Sequence, residues 1–461
     1  PARSRRVGNS SNTLDELKVA LTSTPLLGRG IAHRFDVTSH VKEEHEADAQ
    51  TEAHEAQAQT KADDADDGLR LLLTAVRDGN VGECRLLLSQ PHVLSNIKKA
   101  GGCACLMAAA SRNRRECMKL LLEAKASVDE PNKNEVTSLL LASQNGHEPC
   151  VKLLLEAKAT VDQPINDGRT SLFMACRNGH EPCVKLLLEA KASVKQAANN
   201  GATSLMVASI NVHEPCVKLL LEANASVKQA ANWPTSLMVE TKQGALMLAS
   251  MNGNERCVKL LLEANADPDR VSYGRGPRTT CLVLTSYFGH MSCSKLLLAA
   301  KASLDKGVLF NDKWVTELYI ATQSGHAECA KVLLDAKANV NLKYRSPPCL
   351  YAASYNGDVA CVRLLLAANA SIIGGEMQAA IESGTYCGGC VKLLLDAKAN
   401  VDDADDEGYT PLFVASQYGY GTLVMMLLAA NASVNLAAGD GYTSLMIASH
   451  YGHARLSLIH I

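Results

Sequence analysis

The chain repeats itself every 33 residues, and that step excludes most ways of folding 461 residues into globular domains. From Thr137 the segment TSLLLASQNGHEPCVKLLLEAKATVDQPINDGR returns at Thr170 as TSLFMACRNGHEPCVKLLLEAKASVKQAANNGA and at Thr203 as TSLMVASINVHEPCVKLLLEANASVKQAANW. Leucine triplets or near-triplets at 86–88, 120–122, 153–155, 186–188, 219–221, 260–262, 296–298, 332–334, 364–366, 393–395 and 426–428 mark eleven units. A twelfth opens at Gly441-Tyr442-Thr443-Ser444-Leu445. So short a unit cannot bury its leucine face alone; stacked neighbours can.

One unit reads as two helices. Thr137 is placed to cap the first, Leu139 and Ala142 share a face three residues apart, and Gly146 ends it with a permissive backbone. Pro149 falls in the first turn of the second, where no donor is lost, and Val151, Leu154 and Leu155 form its apolar stripe. Apolar residues are 47% of the chain but aromatics only 4%, so the core must be built from small helices packed closely through Leu, Ala, Val, Met and Cys.

The Thr-x-Leu opening, the Ala three residues after that Leu, the Gly-His before the second helix and the Leu triplet inside it together resemble the ankyrin repeat. Thr410-Pro411-Leu412-Phe413-Val414-Ala415 comes nearest to that family's T-P-L-H-x-A. The resemblance implies an all-α solenoid of helix-turn-helix units joined by β-hairpin loops, with about eleven full repeats and a truncated twelfth over residues 68–455. It also implies a protein that binds other proteins and catalyses nothing. The family usually ends the second helix with a left-handed Gly. Here that slot holds Lys125, Lys158, Lys191, Lys301, Lys337 and Lys398, or Asn224, Asn265, Asn369 and Asn431. Asn tolerates the geometry, whereas Lys is strained by it.

Repeat phase also explains residues that would otherwise suggest chemistry. Nine of the 16 cysteines (117, 150, 183, 216, 257, 293, 329, 361 and 390) occupy one position near the start of the second helix. Helices stacked about 8–10 Å apart are too distant for unstrained disulfides, so the expected state is a buried thiol in a reducing compartment. His147, His180, His213, His290 and His326 each precede such a Cys by three residues, but two soft ligands per repeat do not make a zinc site. Cys387-Gly388-Gly389-Cys390 is a lone C-x-x-C. The lysine ladder at 152, 185, 218, 259, 295 and 331, with Arg363 and Lys392, is largely offset by Glu156, Glu189, Glu222, Glu263, Asp335 and Asp396 four residues on, and reads as a solvated face.

No phosphate-binding loop, dinucleotide fingerprint, H-E-x-x-H or nucleophile elbow occurs, so no enzyme, cofactor or metal is expected. A net charge of −2 gives no field to gather nucleic acid or anionic lipid, and no run approaches the roughly 20 apolar residues of a membrane span. The expected partners are proteins, with no nucleic acid and no membrane in this fragment. The expected state is a monomer, in the cytoplasm with the nucleus left open.

Candidate contact residues lie where the 33-residue step breaks. Residues 227–245 hold eight extra residues with Trp233; an alternative reading is a decayed repeat opening, TSLMV, beside GALML. Residues 268–280 gain three residues with Tyr273, Arg275 and Arg278, and 305–316 three more with Phe310 and Trp314. Tyr344, Arg345, Tyr409 and Tyr442 extend the set along later tips. Trp, Tyr and Arg are the types that dominate interface energetics. Residues 372–377 are six shorter than usual, which should notch the row of tips.

The two ends read differently. Residues 1–67 form a low-complexity, acidic segment that cannot build a core and is expected to be largely disordered. Residues 456–461, LSLIHI, match the in-frame translation of a transposase adapter end and read as a sequencing-library scar. Two functions follow from this reading. One is an adaptor binding partners through a concave face and hairpin tips. The other is the recruiting or regulatory arm of a larger kinase, ubiquitin ligase or channel.

Overall fold

Helix pairs follow the repeat phase. A computed structural model describes residues 67–97, 102–235, 238–274, 279–310, 313–342, 346–384 and 388–459. The acidic segment 1–66, with its expected disorder, lies outside them. Asp67–Asp78 pairs with Val81–Leu88, Ser171–Arg177 with Glu181–Glu189, and so on to Ser444–His450 with Ala454–Ile459, twelve pairs in all among the described residues. The last helix runs through Leu456, which is buried. The chain divides into two units, one ending at Ala142 but including Lys152–Ala159, the other comprising Ser143–Val151 and the residues from Thr160 onward.

In the first unit, helix Gly102–Ser111 is buried at every position. An additional helix, Pro91–Asn96, fills the first linker with Pro at its start. Arg114 donates from Nε and Nη2 to the Arg77 carbonyl at 3.1 and 2.9 Å, tying one second helix to the preceding turn.

The second unit shows why the repeats stack. Thr170, Thr203, Thr280, Thr316, Thr410 and Thr443 each cap a first helix by accepting from the backbone N–H three residues on. His180, His213, His290, His326 and His453 each place Nε2 2.8–3.1 Å from a carbonyl of the preceding repeat. The rings lie over Gly146, Gly179, Gly253, Gly289 and Gly419, all at φ +68 to +78°. The Gly-His dipeptide is therefore one half of an inter-repeat clamp. A second clamp had no obvious signature. Asp162, Asp269, Asp305 and Asp402 accept from the backbone N–H of Ser193, Ser303, Asn339 and Ser433 in the next linker, at 2.7–2.9 Å.

A Cβ at Gly179, which sits at φ +74°, would collide with His213 Nδ1. Gly179→Ala is expected to destabilise the array by about 2 kcal/mol in chemical denaturation. An unchanged midpoint would show that the imidazole does not occupy that slot.

Second helices end as the sequence suggests. Lys158 N–H donates to the Leu155 carbonyl and Ala159 N–H to that of Leu154, both at 2.9 Å, and the pattern recurs at Lys191 and Ala192. This is the Schellman arrangement, and it requires a left-handed residue where Lys stands. All six lysines lie at φ +63 to +71° and the four asparagines at +60 to +64°. All fifteen described cysteines are free and buried, so the expected buried thiols are present. Cys84 joins the column, its Sγ 3.7 Å from that of Cys117, a phase the nine-residue count had missed. Burial pushes the Cys183 and Cys216 thiols up to about 12, which keeps them protonated and unreactive.

Most linkers keep the turn of a hairpin but little of its ladder, as at the single bridges Ala197 to Thr203 and Ala437 to Thr443. Two departures are larger. Strands β1 (Ala231–Thr235), β2 (Met238–Gln243) and β3 (Tyr273–Gly274) form an antiparallel sheet in that order, so the tips of two successive linkers are joined. Thr235 ends β1 and Met238 begins β2, so both ends of the TSLMV segment lie in strands. Strands β4 (Val308–Phe310) and β5 (Lys313–Val315) make the second departure, a hairpin.

Candidate protein-interaction tips

Strand alternation decides what the β4–β5 hairpin presents. Val308 pairs with Val315, and both are buried; the next row pairs Leu309 with Trp314. Successive residues of a strand face opposite ways, so anchoring the valines turns Trp314 outward, where it is 45% exposed. The valine row holds the hairpin to the array while the indole faces solvent. Phe310 pairs with Lys313 at the end of the hairpin.

In the other sheet, Trp233 is opposite Thr241, which is also paired with Gly274; Tyr273 is opposite Lys242. Backbone pairing thus brings Trp233 and Tyr273, 40 residues apart in sequence, into adjacent rows of one sheet. Arg275, Arg278, Tyr344 and Arg345 lie outside the described residues.

Tyr409 and Tyr442 divide. Tyr409 is half-buried, its ring stacked 4.7 Å from Phe413 and packed on the cluster of Phe413, Ala438 and Ile447. Tyr442 is 40% exposed and meets the His450 ring edge-on at 6.2 Å. Other exposed apolar side chains went unnoticed in the sequence. Met425 stands where most repeats carry the ladder Lys or Arg, and Tyr418 where several carry an Asn that bonds the preceding repeat. Tyr418 instead stacks on Tyr420, with ring centroids 5.6 Å apart. A comparison of each repeat with its own neighbours would have exposed both substitutions.

Residues of the charge ladder, Lys152 through Lys392, are exposed, as are the acids four positions on. Among the described residues no three His, Cys, Asp or Glu side chains converge as a metal site. Among the same residues no helix is long and apolar enough to cross a membrane.

A family model for ankyrin repeats in three copies matches residues 49–132, 72–165, 139–231, 194–272, 246–344, 282–376 and 377–459. The chain belongs to the ankyrin-repeat family, whose repeats mediate protein–protein contacts. The crystal structure of the human ASB11 ankyrin repeat domain is similar at 27% identity, covering 51% of this chain and 98% of that one, with a TM-score of 0.43. No curated protein matches the chain.

Proposed function

We propose that the array is a non-catalytic adaptor that captures partner proteins through its tips, with Trp314, Trp233 and Tyr273 as anchors and Phe310, Arg275, Arg278, Tyr344, Arg345 and Tyr442 around them. The observation that carries this reading is Trp314, a large aromatic held 45% exposed on a hairpin whose alternate residues are buried. Nearly half of the Trp314 surface is open to a partner, and a pre-ordered aromatic loses little entropy on binding. Tyr409 plays the lesser part, since its ring is already packed on Phe413. The fifteen buried free thiols fit a reducing, cytoplasmic setting.

The test is affinity capture on wild type and on the Trp233→Ala, Trp314→Ala double variant, with circular dichroism as the control for folding. Loss of two anchors is expected to weaken capture about 30-fold or more with the helical signal unchanged. Equal recovery of the same proteins on both forms would overturn the assignment of the tips.

A further inference from the structure

Chain direction puts a buried acid at the root of the β4–β5 hairpin. The backbone passes Asp305, runs out along β4 and back along β5, and re-enters the array at Glu317, the first residue of helix Glu317–Gln323. Asp305 N–H donates to Glu317 Oε2 at 3.2 Å, so one side chain ties the outgoing segment to the returning one next to the buried Val308–Val315 row. Asp305 is itself fixed at φ +60°, its Oδ2 accepting from the Asn339 N–H of the next linker at 2.8 Å.

The site suits a neutral acid and not its anion. Glu317 is 1% exposed, and its Oε1 is buried with no donor among the described residues. A carboxylate there lacks both water and a second hydrogen bond, which disfavours the charged form. Glu376 makes the contrast. It opens its own first helix and is equally buried, but Oε1 and Oε2 each accept a backbone N–H, from Ile373 and Gly374 at 3.1 and 2.9 Å.

The surroundings add to the preference. Burial raises the Glu317 pKa to about 7, and the carboxylates of Asp305 and Asp269 contribute to the rise. Cys281 and Cys349 open the first helices of the flanking repeats, and burial holds both thiols protonated, at about 12, so neither adds a charge. Burial likewise keeps Tyr287, Tyr351 and Tyr355 of those helices neutral. On helix Ala327–Asp335 the charged Glu328, Lys331 and Asp335 are exposed, as is Lys306 beside Asp305. His326 precedes that helix, and burial lowers its pKa, so it is neutral near pH 7.

We propose that Glu317 is a proton-operated latch: its neutral carboxyl holds the root of the β4–β5 hairpin closed with Trp314 in place, and its ionisation releases the hairpin so that water reaches the carboxylate. The step transfers one proton from the Glu317 carboxyl to water and makes no other covalent change. In the released form the carboxyl ionises at its ordinary 4.5, so closure weakens as pH rises from about 4.5 to 7. Only the consequence for capture, tighter engagement through Trp314 on the acid side, rests on the adaptor reading.

The test reads the hairpin without a partner. Trp233→Phe leaves Trp314 as the single tryptophan, and acrylamide quenching of its fluorescence is followed from about pH 5 to about pH 8 with far-UV circular dichroism alongside. Because Trp314 starts 45% exposed, its quenching constant should rise about 1.5- to 2-fold with the helical signal unchanged. In the same background the rise should vanish in Glu317→Gln, shrink in Asp305→Asn, which removes one repelling carboxylate, and persist in Glu376→Gln. A quenching constant that ignores pH, an equal rise in Glu317→Gln, or a rise that tracks loss of helix would overturn the latch. Each of those results leaves capture by Trp314 to its own test.

Discussion

Replacing Lys125, Lys158, Lys191, Lys301, Lys337 and Lys398 together with Gly should stabilise the array by about 3–6 kcal/mol. Each lysine sits at φ +63 to +71°, where its Cβ crowds the following carbonyl at about 1–2 kcal/mol, a strain that Gly does not feel. Two terms oppose the gain. Gly loses more backbone freedom on folding, and Lys near a helix C-terminus interacts favourably with the dipole by about 0.3–1 kcal/mol. The remainder is about 0.5–1 kcal/mol per site, nearly additive across sites that share no partners. Urea unfolding of wild type and the six-site variant measures it. The chain supplies its own control, because Asn224, Asn265, Asn369 and Asn431 hold the same conformation at lower cost. Asn→Lys at those four should lower the midpoint. A six-site variant no more stable than wild type would show that the lysines repay their strain locally.

The second large effect depends on pH and centres on Glu317. Its position is Pro411 in the best-matching repeat, yet Glu317 is 1% exposed and its carboxylate accepts from the Asp305 N–H at 3.2 Å. Burial raises its pKa from 4.5 to about 7; the carboxylates of Asp305 and Asp269 add to the rise, and backbone N–H groups oppose it. The folded protein therefore keeps a proton that the unfolded chain releases above about 4.5. Stability falls as pH rises from about 4.5 to 7, and the penalty, on the order of 3 kcal/mol, is complete above that window. Glu317→Gln should remove it, raising the melting temperature at pH 8 and leaving it nearly unchanged at pH 4.5. Equal shifts at both pH values would refute ionisation as the cause. The histidine clamps act in the opposite sense. Burial lowers the pKa of His180, His290 and His326 below the usual 6.5, so their contribution is full above 6.5 and is lost as pH falls.

Helix pairs, caps and left-handed termini were legible because each depends on residues adjacent in the chain. Thr170 capping the Phe173 N–H and Lys158 at φ +63° need only a local window. The β1–β2–β3 sheet was not legible, because Lys242 and Tyr273 are paired by the stacking of two linkers rather than by any pattern within one. Tyr409 read as a tip residue because the cluster it packs on includes Ala438 and Ile447 of the next repeat, although its stacking partner Phe413 is only four residues away. The shortening at 372–377 was visible as missing length, but the cleft beside it is lined by Val340, Leu342 and Leu350 of the preceding linker and helix. Glu317 was hidden because a repeat-phase alignment records which residue fills a slot, not whether water can reach it.

The column of buried thiols makes the chain its own recorder of local opening. Cys150, Cys183, Cys216, Cys257, Cys293, Cys329, Cys361 and Cys390 each sit at the same depth in a different repeat, and each becomes alkylatable only when that repeat opens. Timed labelling read by peptide mass would therefore give an opening free energy repeat by repeat, without adding a probe. Partner capture at one tip would register as a local dip in labelling rate, so occupied repeats could be read directly from the unmodified protein.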